Sequence, residues 1–174
     1  MTWPVPEAEA APAGEPFQGA EREMLHGFLQ YGRESLLLRC AGLTADQLVI
    51  RAAPPSSLSL LGIVRHLTDV ERNWFRVRFG GEDIAPHYRT TENPDSAFDG
   101  TRPGQAEEDI ARYRAEWAAV DGALGGLTLD DTYESPRWGV MTLRWAYLHM
   151  IREYSGHCGH ADLLRERIDG RTYP

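Results

Sequence analysis

Three histidines and one glutamate lie close together near the C-terminus of this sequence, namely His149, Glu153, His157 and His160. In a helix, residues three and four apart share a face, so Glu153, His157 and His160 project to one side with His149 at its edge. A carboxylate and an imidazole one turn apart can bind the same divalent transition metal without bending the backbone. The spacing therefore predicts part of a metal site, and a further ligand must come from elsewhere in the chain.

The composition limits the class of protein. The 174 residues are of single-domain length, and a formal charge of −8 argues against a nucleic-acid partner, because phosphate binding needs clustered cations. All 18 basic residues are arginine, which excludes Schiff-base chemistry and a phosphate-loop lysine. The two cysteines are too few for a disulfide framework, and no signal peptide or membrane span is evident. We expect a soluble cytoplasmic protein.

Helical periodicity accounts for most of the chain. Residues 1–16 are rich in proline, and we interpret them as a disordered tail before a single domain at 17–174. Apolar residues recur every three or four positions in four segments, at about 17–40, 59–79, 107–124 and 142–168. No repeat and no strand alternation is apparent. The predicted fold class is all-α, a four-helix bundle with long connecting loops.

Capping residues support these boundaries. Ser59 and Thr142 are N-cap candidates for the second and fourth helices, and Thr44 for a short turn after the first. The longest stretch without periodicity is 80–103, and a loop of that length in a compact domain is typically functional or disordered. It could cover a pocket, although a solvated loop is the simpler interpretation.

The remaining metal ligand is sought on another helix. His66 is the only histidine of the second helix, and it lies at one flank of that helix's apolar stripe. On the fourth helix, His157 falls within the predicted stripe and Glu153 about 40° to one side, where a carboxylate needs a partner. A metal site formed by His66, Glu153 and His157 satisfies this need, and so does a buried hydrogen-bonded cluster of the same residues.

Other polar residues near this group receive separate assignments. His160, one turn beyond His157, is the candidate catalytic residue beside the substrate. Asp69 follows on the second helix and could reach the metal, but a solvent-facing position is the simpler prediction. Cys158 points about 100° away from His157 and is expected to pack as a small apolar residue. Cys40 has no base partner, so a Cys/His nucleophile is the weaker alternative.

Three segments resemble the DinB-like superfamily, most closely the branch near mycothiol-dependent maleylpyruvate isomerase and the bacillithiol S-transferases. They are LLGIVRHL at 60–67, LRW at 143–145 and EYSGHCGHADLLRE at 153–166. The resemblance extends over roughly residues 17–170. It implies a four-helix bundle with a divalent metal, commonly zinc or nickel, held by His66, Glu153 and His157. Many members have histidine where Glu153 stands and glutamine where His160 stands.

The resemblance also implies an activity. Characterised relatives use mycothiol or bacillithiol in S-transfer or isomerisation, with the metal binding the thiol as thiolate, and they are often dimers. We therefore expect a metal-dependent, mycothiol-type thiol transferase or isomerase that acts on a small electrophile, as a homodimer. The alternatives are a metal-dependent hydrolase that uses metal-bound water and a non-catalytic bundle that binds a metal or ligand. The sequence does not name the substrate.

Overall fold

The computed structural model describes residues 4–7 and 12–173. The described helices are α1 Glu21–Cys40, α2 Ala45–Leu48, α3 Leu60–Glu71, α4 Ser96–Asp99, α5 Ala106–Leu124 and α6 Leu143–Asp169. A π-helix, Arg72–Phe79, continues α3 without a break, and a 3-10 turn, Pro103–Gln105, precedes α5. Strands β1 Thr132–Ser135 and β2 Gly139–Thr142 form an antiparallel hairpin. The predicted all-α class is confirmed, while the four-helix bundle stays a prediction.

Local capping starts the helices where the sequence predicted. The Ser59 hydroxyl accepts a hydrogen bond from the Gly62 amide at 3.1 Å, and the Thr142 hydroxyl accepts one from Trp145 at 3.2 Å. Each hydroxyl pairs one of the amides that a helix N-terminus leaves without an intrahelical partner. Thr44 begins the short α2 in the same way. These caps fix the first residues of α3 and α6, the two helices that carry the candidate ligands.

Helix α1 lies against α6, and α3 lies against α5 and α6. Gly32 of α1 makes the first contact close, because a Cβ at this position would come within 2.8 Å of the Tyr154 Cβ. The buried face of α6 consists of Leu143, Ala146, Tyr147, Met150, Tyr154, Cys158, Ala161, Leu164 and Arg165. One long helix therefore supplies a continuous strip of the core.

A buried ion pair joins three of these helices. Arg33 of α1 and Glu71 of α3 have side chains that are 0% and 1% exposed, and Arg33 Nε donates to both Glu71 oxygens at 3.0 and 3.1 Å. The Tyr154 hydroxyl of α6 donates to the same carboxylate. Burial beside this negative charge holds the pKa of Tyr154 well above its usual range. The Glu71 carboxylate is thus fully supplied with donors.

The segment between the π-helix and α5 is anchored by Asp69. Its carboxylate accepts hydrogen bonds from the backbone amides of His87, Tyr88 and Arg89 at 2.6, 3.0 and 2.8 Å. Asp69 is only 7% exposed. The prediction of a solvent-facing Asp69 is therefore wrong, since loop amides 18 to 20 residues further along the chain take the place of water. The 80–103 segment packs on α3 through this contact and through α4.

The hairpin was absent from the sequence prediction. Strands β1 and β2 pair from Thr132 with Thr142 to Ser135 with Gly139. The Ser135 hydroxyl accepts the amides of Arg137 and Trp138, both at 3.3 Å, and Gly139 has a φ of +76° that favours glycine. With four residues in each strand, the segment is too short for an alternating pattern to stand out. Its turn presents Trp138 beside α6.

Part of the N-terminal segment packs on the helices. Val5 is buried, and its carbonyl accepts the Gly42 amide at 3.0 Å. Residues 1–3 and 8–11 lie outside the described residues, so the tail over 1–16 and the domain over 17–174 stay predictions. In the described part of the chain, no helix is both long enough and apolar enough to cross a bilayer.

Candidate metal centre

The structure brings His66, Glu153 and His157 together from residues about 90 positions apart in the chain. One ligand atom from each residue lies within 4.8 Å of the others. The two imidazole centroids are 4.8 Å apart, and His157 Nε2 lies 3.8 Å from Glu153 Oε2. Ligands at about 2.1 Å from a tetrahedral zinc ion lie roughly 3.4 Å apart, so small side-chain rotations would suffice to close the group around an ion.

The position of the group on α6 differs from the prediction in one respect. His157 was expected within the buried stripe, but Tyr154 and Cys158 occupy it, and the side chains of His157 and Glu153 are 16% and 24% exposed. The stripe is displaced because the Tyr154 hydroxyl donates to buried Glu71, a polar contact that apolar periodicity does not count. The three candidate ligands therefore lie at the edge of the core, where His66 and Glu153 border a cleft.

Burial keeps both imidazoles neutral. Burial, together with the neighbouring His66 and His160, lowers the pKa of His157 to about 4. Burial also lowers the pKa of His66, against the opposing influence of Glu153. Metals bind the neutral form of imidazole, so protons compete weakly for these two nitrogens at neutral pH.

Some of the polar atoms of this group have no hydrogen-bond partner in the described part of the chain. Among the described residues, the buried Nδ1 of His157 has no hydrogen-bond partner. The Glu153 carboxylate contacts His149, Arg152 and His157 only at 3.7 to 3.8 Å, which is too long for a hydrogen bond. A self-contained hydrogen-bonded cluster would pair these atoms. Two neutral imidazoles and one carboxylate offer lone pairs to a ligand, and this set of atoms fits a divalent transition metal.

His160 and His149 lie at the two ends of the group. The exposed His160 has its ring centroid 5.5 Å from that of His157, edge to face. His149 stacks flat on Trp145 at 4.9 Å, and its Nδ1 lies 3.0 Å from Arg152 Nη2. Neither belongs to the three-ligand group. The catalytic role of His160 stays a prediction.

Asp69 borders the same cleft without being free to bind a metal, since both of its oxygens already accept loop amides. The cysteines are no better placed. Burial raises the pKa of Cys40 to about 12 and that of Cys158 to about 11, so both remain thiols at neutral pH. The expected packing of Cys158 is confirmed, and a cysteine nucleophile loses its support.

Two adjoining cavities open beside the ligands. The first, about 370 Å³, is bordered by His66 and Glu153 and also by polar groups that include Asn73, Arg78 and Arg89. The second, about 540 Å³, is lined mainly by apolar and aromatic residues, namely Trp74, Trp138, Val140, Met141, Thr142, Trp145, His149 and Arg152. The sequence prediction missed this aromatic cavity. Its one local signal was Trp138, a tryptophan between Arg137 and Gly139 in a stretch without periodicity.

The comparisons with known proteins identify the family of this chain. A family model for mycothiol-S-transferases matches residues 24–170, a span that contains the three candidate ligands and the residues of both cavities. This is a DinB-like family, so the resemblance seen in the sequence is confirmed. No curated protein matches the chain.

Proposed function

Because the chain belongs to the mycothiol-S-transferase family, we propose that it is a metal-dependent enzyme that joins a low-molecular-weight thiol of the mycothiol type to a small electrophile. His66, Glu153 and His157 hold the metal. The observation that carries this proposal is the convergence of three ligand atoms within 4.8 Å beside a cleft, with no hydrogen bonds among them. The same proposal includes a four-helix bundle of the DinB-like type built from α1, α3, α5 and α6.

The charge of the centre suits a thiol. Two neutral imidazoles and one carboxylate leave a divalent ion with a formal charge of +1, which a single thiolate would neutralise. Zinc or nickel would supply the Lewis acidity that favours loss of the thiol proton. Three protein ligands would leave at least one coordination position for the thiol, as in catalytic rather than structural sites.

The proposed reaction transfers the thiol sulfur to the electrophile. The thiol loses its proton, sulfur forms a bond to the electrophilic carbon, and either a leaving group departs with its electron pair or a conjugated double bond takes up the proton. His160, exposed beside His157, is the group we assign to accept the proton and pass it to solvent. The cleft on the side of Asn73, Arg78 and Arg89 is polar enough to hold a hydrophilic thiol.

Two further expectations accompany the proposal. Cys40 and Cys158 are free thiols, which suits a reducing compartment, so we propose a cytoplasmic location. A homodimer, the common state of the characterised relatives, is the proposed oligomer. Sedimentation at several concentrations would measure it.

Metal content is the first test. Protein purified without an affinity tag should contain close to one equivalent of transition metal, and His66→Ala should lose it. His26→Ala is the matched control, because His26 pairs with Asp121 on the exposed side of α1 and should retain the metal. A substoichiometric metal content that His66→Ala leaves unchanged would refute the centre. Circular dichroism would establish that each variant is folded.

Activity separates the candidate functions. With mycothiol and a panel of electrophiles, the metal-loaded protein should consume thiol, and chelation should abolish the reaction. Ester or amide hydrolysis without thiol consumption would replace the transferase with a hydrolase. A protein that binds metal and is inert in both assays would be a non-catalytic binding bundle.

A further inference from the structure

The aromatic cavity beside the metal centre has no role in the chemistry described so far. Three of the five tryptophans in the chain, Trp74, Trp138 and Trp145, line it together with His149. We propose that this cavity is the subsite of the second substrate and that it selects a planar, electron-poor aromatic electrophile. The proposal deepens the transferase function and, for its kinetic part, rests on it.

The cavity is continuous with the metal centre. Trp74, Trp138 and His149 line both the aromatic cavity and the polar cleft that His66 and Glu153 border. His149 Nε2 lies 3.8 Å from the Glu153 carboxylate. A ring bound against Trp138 and His149 would therefore lie next to a thiol held over the metal. Several charged side chains border the first compartment and Arg152 alone borders the second, which matches a reaction that joins a hydrophilic thiol to an apolar partner.

The indole rings are arranged as walls. Trp138 and Trp74 are nearly parallel, with centroids 6.4 Å apart and an angle of 29° between the planes, and Trp145 meets Trp74 edge-on at 5.0 Å. Trp138 and Trp145 remain 53% and 40% exposed. Such area is normally removed from water by a ligand or partner. Indole faces carry negative charge density, so they favour a ring whose own face is electron-poor, as in an activated aromatic electrophile.

The charges around the cavity oppose a cationic ligand, which a set of tryptophans could otherwise bind. No carboxylate is among the lining residues, whereas Arg152 is, and Arg78 lies behind the wall. The Arg78 guanidinium sits 4.1, 5.5 and 5.6 Å from the ring centroids of Trp74, Tyr133 and Trp138. It ties the hairpin to the π-helix and so orders Trp138 before a ligand arrives. An aromatic ring with electron-withdrawing, neutral or anionic substituents suits these surroundings.

Direct binding tests the subsite without any catalysis. We would titrate the protein with 1,3-dinitrobenzene, an electron-poor ring without a leaving group, and follow quenching of tryptophan fluorescence. Nitrocyclohexane is the saturated control. We expect saturable binding of the aromatic compound alone. We also expect an increase in Kd of at least about five-fold in Trp138→Ala, because this variant loses both the aromatic pairing with the ligand and the contact area of the indole.

Control variants separate the cavity from general effects of losing an aromatic residue. Trp138→Phe should retain most of the affinity because it preserves a ring at the hairpin turn. Trp117→Phe should leave the Kd unchanged, because Trp117 does not line the cavity and contacts Tyr113 edge to face within α5. Equal binding of nitrocyclohexane, or an unchanged Kd in Trp138→Ala, would overturn the proposal.

Kinetics then links the subsite to the transferase. With 1-chloro-2,4-dinitrobenzene, the thiolate sulfur bonds to the ring carbon, chloride leaves with the C–Cl electron pair, and the thiol proton passes to solvent. We expect Trp138→Ala to lower kcat/KM for this substrate at least five-fold more than for iodoacetamide, which has no ring. Equal losses with both electrophiles would overturn the assignment of the ring to this cavity.

The two proposals can fail separately. Ring binding that depends on Trp138, in a protein without transferase activity, would refute the function and support the subsite. The same exposed face, extended by Val140 and Leu148, could instead cover a second copy of the chain. A dimer that dissociates in Trp138→Ala, measured by sedimentation and combined with no binding of 1,3-dinitrobenzene, would overturn the subsite in favour of that interface.

Discussion

Glu71 of α3 and Glu153 of α6 are two carboxylates that differ in burial and in hydrogen bonding. Glu71 is fully buried and accepts hydrogen bonds from Arg33 and from the Tyr154 hydroxyl. Glu153 precedes Tyr154 in the chain, yet the nearest basic side chains, His149, Arg152 and His157, lie 3.7 to 3.8 Å away and donate no hydrogen bond. Tyr154 thus belongs to a hydrogen-bonded network in the core, whereas the adjacent Glu153 lies on another face of α6 and accepts no hydrogen bond from the described residues.

This difference separates a carboxylate that is fully paired within the protein from one that is free to bind a ligand. A buried carboxylate whose lone pairs accept hydrogen bonds from the protein cannot also bind a ligand. Its removal leaves the charge of its partner buried and uncompensated. A half-buried carboxylate with unfilled acceptor positions keeps that capacity, at some cost to stability. The contrast predicts that matched substitutions at the two sites affect different properties.

The largest effect on stability is expected at Glu71. Glu71→Gln leaves the buried Arg33 guanidinium with only the partly exposed Asp121 carboxylate, 3.7 Å away, as a counter-charge, which should reduce the free energy of unfolding by about 3–5 kcal/mol. Glu153→Gln is the matched control, because the same change of atoms at a half-buried, unpaired carboxylate should alter the stability of metal-free protein by less than about 1 kcal/mol. Urea unfolding would measure both. Similar losses in the two variants would break the distinction.

The largest effect on activity is expected at Glu153. Glu153→Gln replaces a charged ligand with a weak neutral one, so we expect metal affinity and metal-dependent thiol transfer to fall by a factor of about 100. Glu153→His should restore part of both, because imidazole is itself a good ligand for these metals. Metal titration and thiol-consumption rates provide the measurements. Full activity in Glu153→Gln would remove Glu153 from the centre.

Asp69 offers an intermediate case, a buried carboxylate saturated by loop amides. Asp69→Asn removes the charge and one acceptor, so the 80–103 segment should be anchored less firmly, by about 2 kcal/mol. Trypsin should then cleave after Arg89 several-fold faster. Asp95→Asn alters an exposed carboxylate that borders the same cleft and should not change the cleavage rate. Protection of Asp69→Asn equal to the wild type would show that other contacts hold the segment.

The last expected effect concerns pH. Because the pKa of His157 is about 4 in the folded chain against an ordinary value of 6.5, the unfolded chain takes up the proton first as the pH falls. The free energy of unfolding of the metal-free protein should therefore contain the full contribution of neutral His157 above pH 6.5 and should decrease as the pH falls toward 4. His157→Gln should flatten this part of the profile relative to the wild type. Urea midpoints after chelation, measured at pH 7.5 and 5, would detect the difference, and parallel profiles would contradict it.

The sequence predicted what local interactions decide. Helix limits at Ser59 and Thr142 and the spacing of Glu153 and His157 depend on neighbours within a few residues. The burial of Asp69 could not be predicted in this way, because it depends on amides far along the chain. The stripe of α6 was displaced for a similar reason, a tyrosine that reaches a buried carboxylate on another helix. The aromatic cavity could not be predicted because the hairpin forms one side of it, and the strands of the hairpin are too short to show a pattern in the sequence.

The π-helix over Arg72–Phe79 has an evolutionary consequence. Such segments behave as one-residue insertions into an α-helix, and a single residue corresponds to about 100° of rotation. His66 lies before this segment, whereas Trp74 and Arg78 lie within it. Loss of one residue between Glu71 and Trp74 would turn the aromatic wall away and leave His66 in place. Relatives with and without the extra residue should therefore share the proposed metal ligands and differ in the electrophiles that they accept.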